Sequence, residues 1–161
     1  MIRAAVITLS SSRAGGDGEP DVSGDLLAGF AADLGAGVVD RELLPDDREL
    51  LSERLVHWAD EEGADLILTT GGTGLAPSDQ TPEATAAVID RPAPGIAEAI
   101  RQEAARHTRH WALSRGVAGM RGSCLIVNFP GSPKGVEQSA AVLLPVLPHA
   151  LDLIAGHPSR H

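Results

Sequence analysis

Leu66, Ile67 and Leu68 form an unbroken apolar run that passes through Thr69-Thr70 into Gly71-Gly72-Thr73-Gly74, and this junction constrains the fold more than any other stretch of the chain. A strand with one wet face alternates apolar and polar residues, whereas a continuous run needs cover on both faces, as in a parallel sheet flanked by helices. Gly71, Gly72 and Gly74 then remove three Cβ atoms from the turn. Main-chain N–H groups can approach a phosphate or a flat ring there, and positive φ costs little. Thr81 reads as the N-cap of a new helix with Pro82 at its first position, and Glu83 in the first turn suits the helix dipole. Asp79 is thereby placed at the carboxyl end of a strand, the edge of an open parallel sheet where ligands bind.

Alternating strands and helices extend from this point in both directions. Ile2 to Leu9 reads as a first strand, residues 10 to 22 as a flexible Gly-rich loop, and Ser23 as the cap of a helix with Leu26, Leu27, Phe30, Ala31 and Leu34 on one face. A strand over Val38 to Leu44 follows, then a helix capped by Asp46 or Asp47 that runs to Glu62 and is closed by Gly63. After the glycine turn, Thr81 to Asp90 and Gly95 to His107 read as helices separated by Pro92 and Pro94. Arg115 to Met120 reads as an edge strand, Ser123 to Phe129 as a buried strand, and Gly135 onward as a helix divided by Pro145 and Pro148. The expected architecture is a single three-layer α/β/α domain over residues 1–161, Rossmann-like, with a mostly parallel sheet.

Hydrophobic residues make up 43% of the 161, yet tyrosine is absent and aromatics are only 2%, so the core must be built from Ala, Val, Leu and Ile. The net charge of −9 opposes binding to a nucleic-acid backbone, since no counterion release would drive it. No apolar run reaches the ~20 residues of a membrane span, and Met1-Ile2-Arg3 leads into a strand rather than a signal segment, so a cytoplasmic protein without membrane contact is expected. Cys124 is the only cysteine and lies in an apolar strand, as a small buried hydrophobe would.

The string from Leu68 to Ala84 closely resembles the signature of the molybdenum-cofactor biosynthesis family that contains the molybdopterin adenylyltransferases and the MoaB-type proteins. Similar family segments recur at Ile7 to Arg13, at Asp21-Val22-Ser23-Gly24, at Leu43-Leu44-Pro45-Asp46-Asp47, at Leu113 to Gly119 and at Leu125 to Gly135, covering about residues 2 to 156. Ser11 departs from the pattern, since many relatives carry Asp there.

The resemblance implies a Mg²⁺-dependent transfer of AMP from ATP to molybdopterin with release of pyrophosphate. Asp79 and Asp46 are the expected catalytic acids and metal ligands, with Asp47 as the competitor of Asp46, because an Asp after Pro45 is equally a natural helix cap. A loop-closing Asx turn is the structural alternative for Asp79. Ser10, Ser11, Ser23, Gly71, Gly72, Thr73, Gly74, Thr81, Ser114, Asn128, Pro130, Gly131, Ser132 and Lys134 are the expected substrate contacts, and Asn128 could also order its loop through its amide. Because the chain is acidic, main-chain N–H groups together with Arg13, Arg115 and Lys134 must supply local positive potential for anionic substrates. The resemblance further implies a homotrimer or hexamer and contact with a molybdenum insertase. Two other activities stay open: pterin binding and delivery without turnover, as suspected of MoaB-type relatives, and hydrolysis of nucleotide pyrophosphates, as in the similar amino-terminal domain of competence-damage proteins. His107, His110, His149, His157 and His161 lack a convergent acid or cysteine partner at metal-ligand spacing, His57 reads as a surface or partly covered residue of the second helix, and neither Trp58 nor Trp111 has the interleaved basic residues of a base-stacking platform.

Overall fold

The computed structural model of the chain describes residues 1–157; His161 lies outside them. The strands are β1 (Ile2–Leu9), β2 (Ala36–Leu44), β3 (Leu66–Thr70), β4 (Arg91–Pro92), β5 (Ala118–Arg121) and β6 (Cys124–Phe129). They form one six-stranded sheet in the order β2-β1-β3-β6-β5-β4. β2, β1, β3 and β6 run parallel, and β5 and β4 complete the sheet antiparallel. The helices are α1 (Ser11–Ala14), α2 (Val22–Asp33), α3 (Arg48–Val56), α4 (Thr81–Ala86), α5 (Pro94–Ala105), α6 (Pro133–Leu143) and α7 (Leu147–Ile154).

Both faces of the central strands are covered, which is why β3 and β6 are buried at every position. On one face Val6, Leu68, Val127 and Phe129 pack with Leu27, Phe30 and Ala31 of α2, Ile100 of α5, Val136 and Leu143 of α6, and Leu147 and Leu151 of α7. On the other, Ala5, Ile7, Ile67 and Ile126 pack with Leu51 and Leu55 of α3, with Trp58 in the turn that follows α3, and with Ala84 of α4. Among the described residues one aromatic pair, Phe30 and Phe129 at 5.7 Å between ring centroids, occurs in the first layer, so aliphatic burial carries the core. No helix among the described residues is long and apolar enough to cross a membrane.

Several local expectations are corrected. The loop after β1 contains the short helix α1, capped by Ser10. Asp21, not Ser23, caps α2: its Oδ1 accepts from Gly24 N at 3.0 Å, while its Oδ2 accepts from Thr8 Oγ1 at 2.7 Å. A Cβ at Gly24 would collide with that carboxylate, so the Asp-x-Ser-Gly spacing serves a close cap. α3 ends earlier than expected and continues as a π turn, His57–Glu61, in which Trp58 stays buried and donates Nε1–H to Glu42 at 2.9 Å. α4 is shorter than expected. β5 is not an edge strand, because Arg91–Pro92 pairs along its outer side.

Candidate active site

The parallel strands β1, β2, β3 and β6 end on the same edge, so the loops beginning at Ser10, Pro45, Gly71 and Pro130 gather there. Gly71 sits at the centre with φ of +98°, and a Cβ on it would press within 3.0 Å of the Leu9 carbonyl oxygen. Its N–H donates to Phe129 O at 3.3 Å. A Cβ on Gly131 would lie 3.3 Å from Gly71 Cα, so the two glycine turns are in contact, as only residues without side chains allow. Gly72, with φ of +69°, is hemmed in by Thr81 Oγ1 and by Asp46 Oδ1, the latter 3.4 Å from where its Cβ would stand.

The structure separates the two candidate acids after β2. Asp47 caps α3, its Oδ1 accepting from Leu50 N at 2.9 Å. Asp46 faces the glycine turn instead. Its Oδ2 accepts from Ser11 Oγ at 2.9 Å and from Ser11 N at 3.3 Å, and its own N–H returns a 3.0 Å bond to Ser11 Oγ. Asp79 closes its loop backwards, Oδ2 accepting from Ala76 N three residues earlier at 3.0 Å, which is not the forward-reaching bond of an Asx turn. Gly74 lies against that oxygen, 2.8 Å from the position of a Cβ. In both acids one oxygen is fixed by a protein donor, and Oδ1 accepts no hydrogen bond among the described residues.

The N–H groups of Gly72, Thr73 and Gly74 have no acceptor among the described residues, and neither do those of Gly131, Ser132 and Lys134. Ser132 caps α6, its Oγ accepting from Gly135 N at 3.1 Å, and Lys134 is exposed. Ser10 is half-buried with Oγ beside Ser12 Oγ and the Arg13 guanidinium; Ser114 is half-buried with Oγ 3.5 Å from Gly116 N. The edge therefore offers two acids and two sets of main-chain donors on an open surface.

The side chains of three expected ligand contacts are turned inward. Thr81 is buried and belongs to the first turn of α4 rather than capping it; its Oγ1 donates to Gly71 O at 2.9 Å and its N–H to Gly72 O at 3.1 Å. Ser23 Oγ donates to Gly131 O at 2.8 Å. Asn128 is buried and its amide is fully committed: Nδ2 donates to Thr69 and Thr85 Oγ1, each at 3.0 Å, and Oδ1 accepts from Val117 N at 3.1 Å. Thr85 in turn donates to Thr81 O at 2.8 Å, so a buried polar chain runs from Val117 through Asn128, Thr85 and Thr81 to the glycine turn. These residues hold the loops that a ligand would touch.

Arg115, read from sequence as a cation for substrate, is spent within the protein. It donates from N to Thr73 O, from Nε to Gly74 O and from Nη2 to Asp79 O, each at 2.8 Å, and its Nη1 pairs with Glu83 Oε1. That pair holds the Glu83 carboxyl below its ordinary range. The Ser-Arg-Gly segment and the Thr-Pro-Glu segment were both visible in the sequence, but nothing local links them. Among the described residues no group of three or more His, Cys, Asp or Glu side chains is placed to hold a metal ion. Cys124 is buried, and burial pushes its thiol up to about 12, which rules it out as a nucleophile at neutral pH.

An open parallel sheet whose carboxyl edge carries touching glycine turns, free main-chain donors and two acids defines an α/β ligand-binding domain with its site at the strand ends. Residues 5–149 match the family described as a probable molybdopterin binding domain, and the chain belongs to that family. It is similar over 99% of its length to the whole of the Thermus thermophilus molybdopterin biosynthesis enzyme MoaB, at 48% identity and a TM-score of 0.91. It is 40% identical over 116 residues to the Helicobacter pylori molybdopterin adenylyltransferase, covering 72% of this chain and 66% of that protein. A molybdenum cofactor biosynthesis bifunctional protein of Synechococcus elongatus is 38% identical over 153 residues, which is 95% of this chain and 47% of the relative. The chain thus spans about half to two thirds of the length of these two curated relatives.

Proposed function

We propose that this chain, as one domain, is a molybdopterin adenylyltransferase: a phosphate oxygen of molybdopterin attacks the α-phosphorus of ATP, the bond to the bridging oxygen breaks, and pyrophosphate leaves. The observation that carries this reading is the pair Asp46 and Asp79 flanking the glycine turn, each with one oxygen anchored and one uncommitted. The likeness to the Helicobacter protein of that name supports it. No side-chain nucleophile is required, because the attacking group belongs to the substrate. The protein's tasks are alignment and charge stabilisation.

Two carboxylates, each with an oxygen that accepts no hydrogen bond among the described residues, fit a hard cation such as Mg²⁺, which takes one or two carboxylates and completes its shell from phosphate oxygens and water. Asp46 and Asp79 would hold it, and when bound it would offset the charge gathering on the leaving pyrophosphate. The N–H groups of Gly72 to Gly74 and of Gly131, Ser132 and Lys134 supply donors to phosphate oxygens or to the pterin edge, with Pro130 shaping the turn. Ser10, Ser11 and Ser114 stand at the rim as further contacts. Such local donors are needed in a chain whose net charge is −9.

Pyrophosphate release from ATP and freshly generated molybdopterin in the presence of Mg²⁺ tests the assignment. Asp79→Asn and Asp46→Asn should each lower it by about 10²-fold or more while molybdopterin still binds. Asp47→Asn should retain activity and lose at most about 1 kcal/mol of stability, since Asp47 is the helix cap. Absence of release by the wild type with pterin binding intact would turn the assignment to binding and delivery.

The same reading makes the protein a cytoplasmic homotrimer or hexamer that hands its product to a molybdenum insertase. The longer bifunctional relative supports a partner in the same pathway. Light scattering on the purified chain checks the first point.

A further inference from the structure

We propose that Arg115 is a positioning residue that sets the Asp79 carboxylate by buckling the loop between Gly74 and Asp79, and that it is not a binder of anionic substrate. The inference rests on the reading of Asp79 as an active-site acid, which it deepens.

The loop leaves β3 after Thr70 and re-enters regular structure at Thr81, so its path is not set by any ladder of main-chain bonds. One side chain grips both of its ends. Nε of Arg115 holds Gly74 O and Nη2 holds Asp79 O, each at 2.8 Å, while the Arg115 N–H holds Thr73 O at 2.8 Å. Nη1 reaches Glu83 in the first turn of α4, which ties the buckle to the helix that follows the loop. Within that frame Ala76 N donates to Asp79 Oδ2 at 3.0 Å and Asp79 N donates to Ala76 O at 2.9 Å, leaving Oδ1 uncommitted.

The geometry of the guanidinium decides its role. Three nitrogens of one plane serve two carbonyls and a carboxylate, a fork that a single ammonium cannot reproduce. The charge of Arg115 is met by Glu83, and although both side chains are about a third exposed, the fork itself is occupied: Nε and Nη2 hold the two loop carbonyls and Nη1 holds the carboxylate. A substrate-binding arginine would keep its fork free.

Arg115→Lys keeps the charge and removes the fork. In the protein without substrate, exchange of the amide hydrogens over residues 74 to 80 should rise at least about tenfold, since two charge-assisted bonds are lost. The turnover rate for pyrophosphate release should fall about 10²-fold, with KM for ATP and for molybdopterin within about threefold of wild type, the pattern of a misplaced catalytic group. Wild-type exchange and turnover in Arg115→Lys would overturn the proposal. So would a KM for ATP that rises with turnover unchanged, since that is the signature of a lost substrate contact. Should Arg115→Lys fail to fold, Glu83→Gln, which retains both carbonyl bonds, carries the test: exchange over residues 79 to 83 should rise about threefold or more and turnover should fall with KM preserved, and no change in either would overturn the proposal. If the wild type itself releases no pyrophosphate, the adenylyltransferase reading fails while the exchange comparison still decides whether the buckle holds the Asp79 loop.

Discussion

Gly71→Ala and Gly29→Ala make the same chemical change and should move stability in opposite directions. At Gly71 the backbone has φ of +98°, and holding an L-residue in such a conformation costs about 1–3 kcal/mol. The new methyl would also meet the Leu9 carbonyl oxygen, which belongs to a central strand and cannot rotate away. Relief requires shifting the turn, which strains the bond from Gly71 N to Phe129 O and the one from Thr81 Oγ1 to Gly71 O, at about 1 kcal/mol for each bond lost. The expected destabilisation is about 2–4 kcal/mol. With a urea m-value of about 2 kcal/mol/M, the midpoint falls by about 1–2 M. Gly29 lies in the interior of α2 with nothing within 4 Å of its built Cβ, so alanine there should stabilise by about 0.5–1 kcal/mol. Urea unfolding followed by far-ultraviolet circular dichroism measures both. The reasoning is refuted if Gly71→Ala unfolds within about 0.5 kcal/mol of the wild type, or if the two variants shift the midpoint alike.

Asn128→Leu keeps the shape of a buried side chain but strands Val117 N and Thr69 Oγ1 and takes one of two bonds from Thr85 Oγ1, and should cost about 2–4 kcal/mol in the same assay; a neutral result would show that water takes over those bonds. The Glu83 carboxyl is lowered by Arg115, so its contribution is complete above the ordinary value of 4.5 and is lost as pH falls through the lowered folded value. Wild type and Glu83→Gln should therefore differ in stability at neutral pH and converge only below pH 4.5; a gap that is constant down to about pH 3 would contradict the linkage. The Cys124 thiol, buried and pushed up to about 12, should resist alkylation at about pH 8 until the chain unfolds, and fast labelling of the native protein would mean that β6 opens locally.

The architecture was legible because it rests on local patterns. The unbroken apolar runs in β3 and β6 called for cover on both faces, and the periodic Leu27, Phe30 and Ala31 of α2 supply part of it. Boundaries were less legible where a polar side chain had two possible partners. Ser23 looks like a cap, but Asp21 two residues earlier reaches Gly24 N and leaves the Ser23 hydroxyl to Gly131, 108 residues away. Thr81 looks like a cap as well, yet its hydroxyl finds the Gly71 carbonyl ten residues back in the buried turn. The pairing of Arg91–Pro92 with β5 was invisible, since a strand of two residues has no periodicity to read.

By itself, the sequence determined that this is a helix-covered, mostly parallel sheet with a glycine turn and an acid at the carboxyl end of a central strand, because apolar continuity, glycine and helix-start residues act on the backbone within a few positions of themselves. Tertiary structure alone decided which polar groups remain free for chemistry. Asp46 rather than Asp47 faces the glycine turn because Ser11, 35 residues earlier, anchors it there and Asp47 is spent on Leu50. Asn128 turns inward because Thr69 and Thr85 satisfy its amide, and Arg115 closes the Asp79 loop from 36 residues away. A buried donor or acceptor must find a partner, and that partner is fixed by the packing of distant segments rather than by neighbours in the chain.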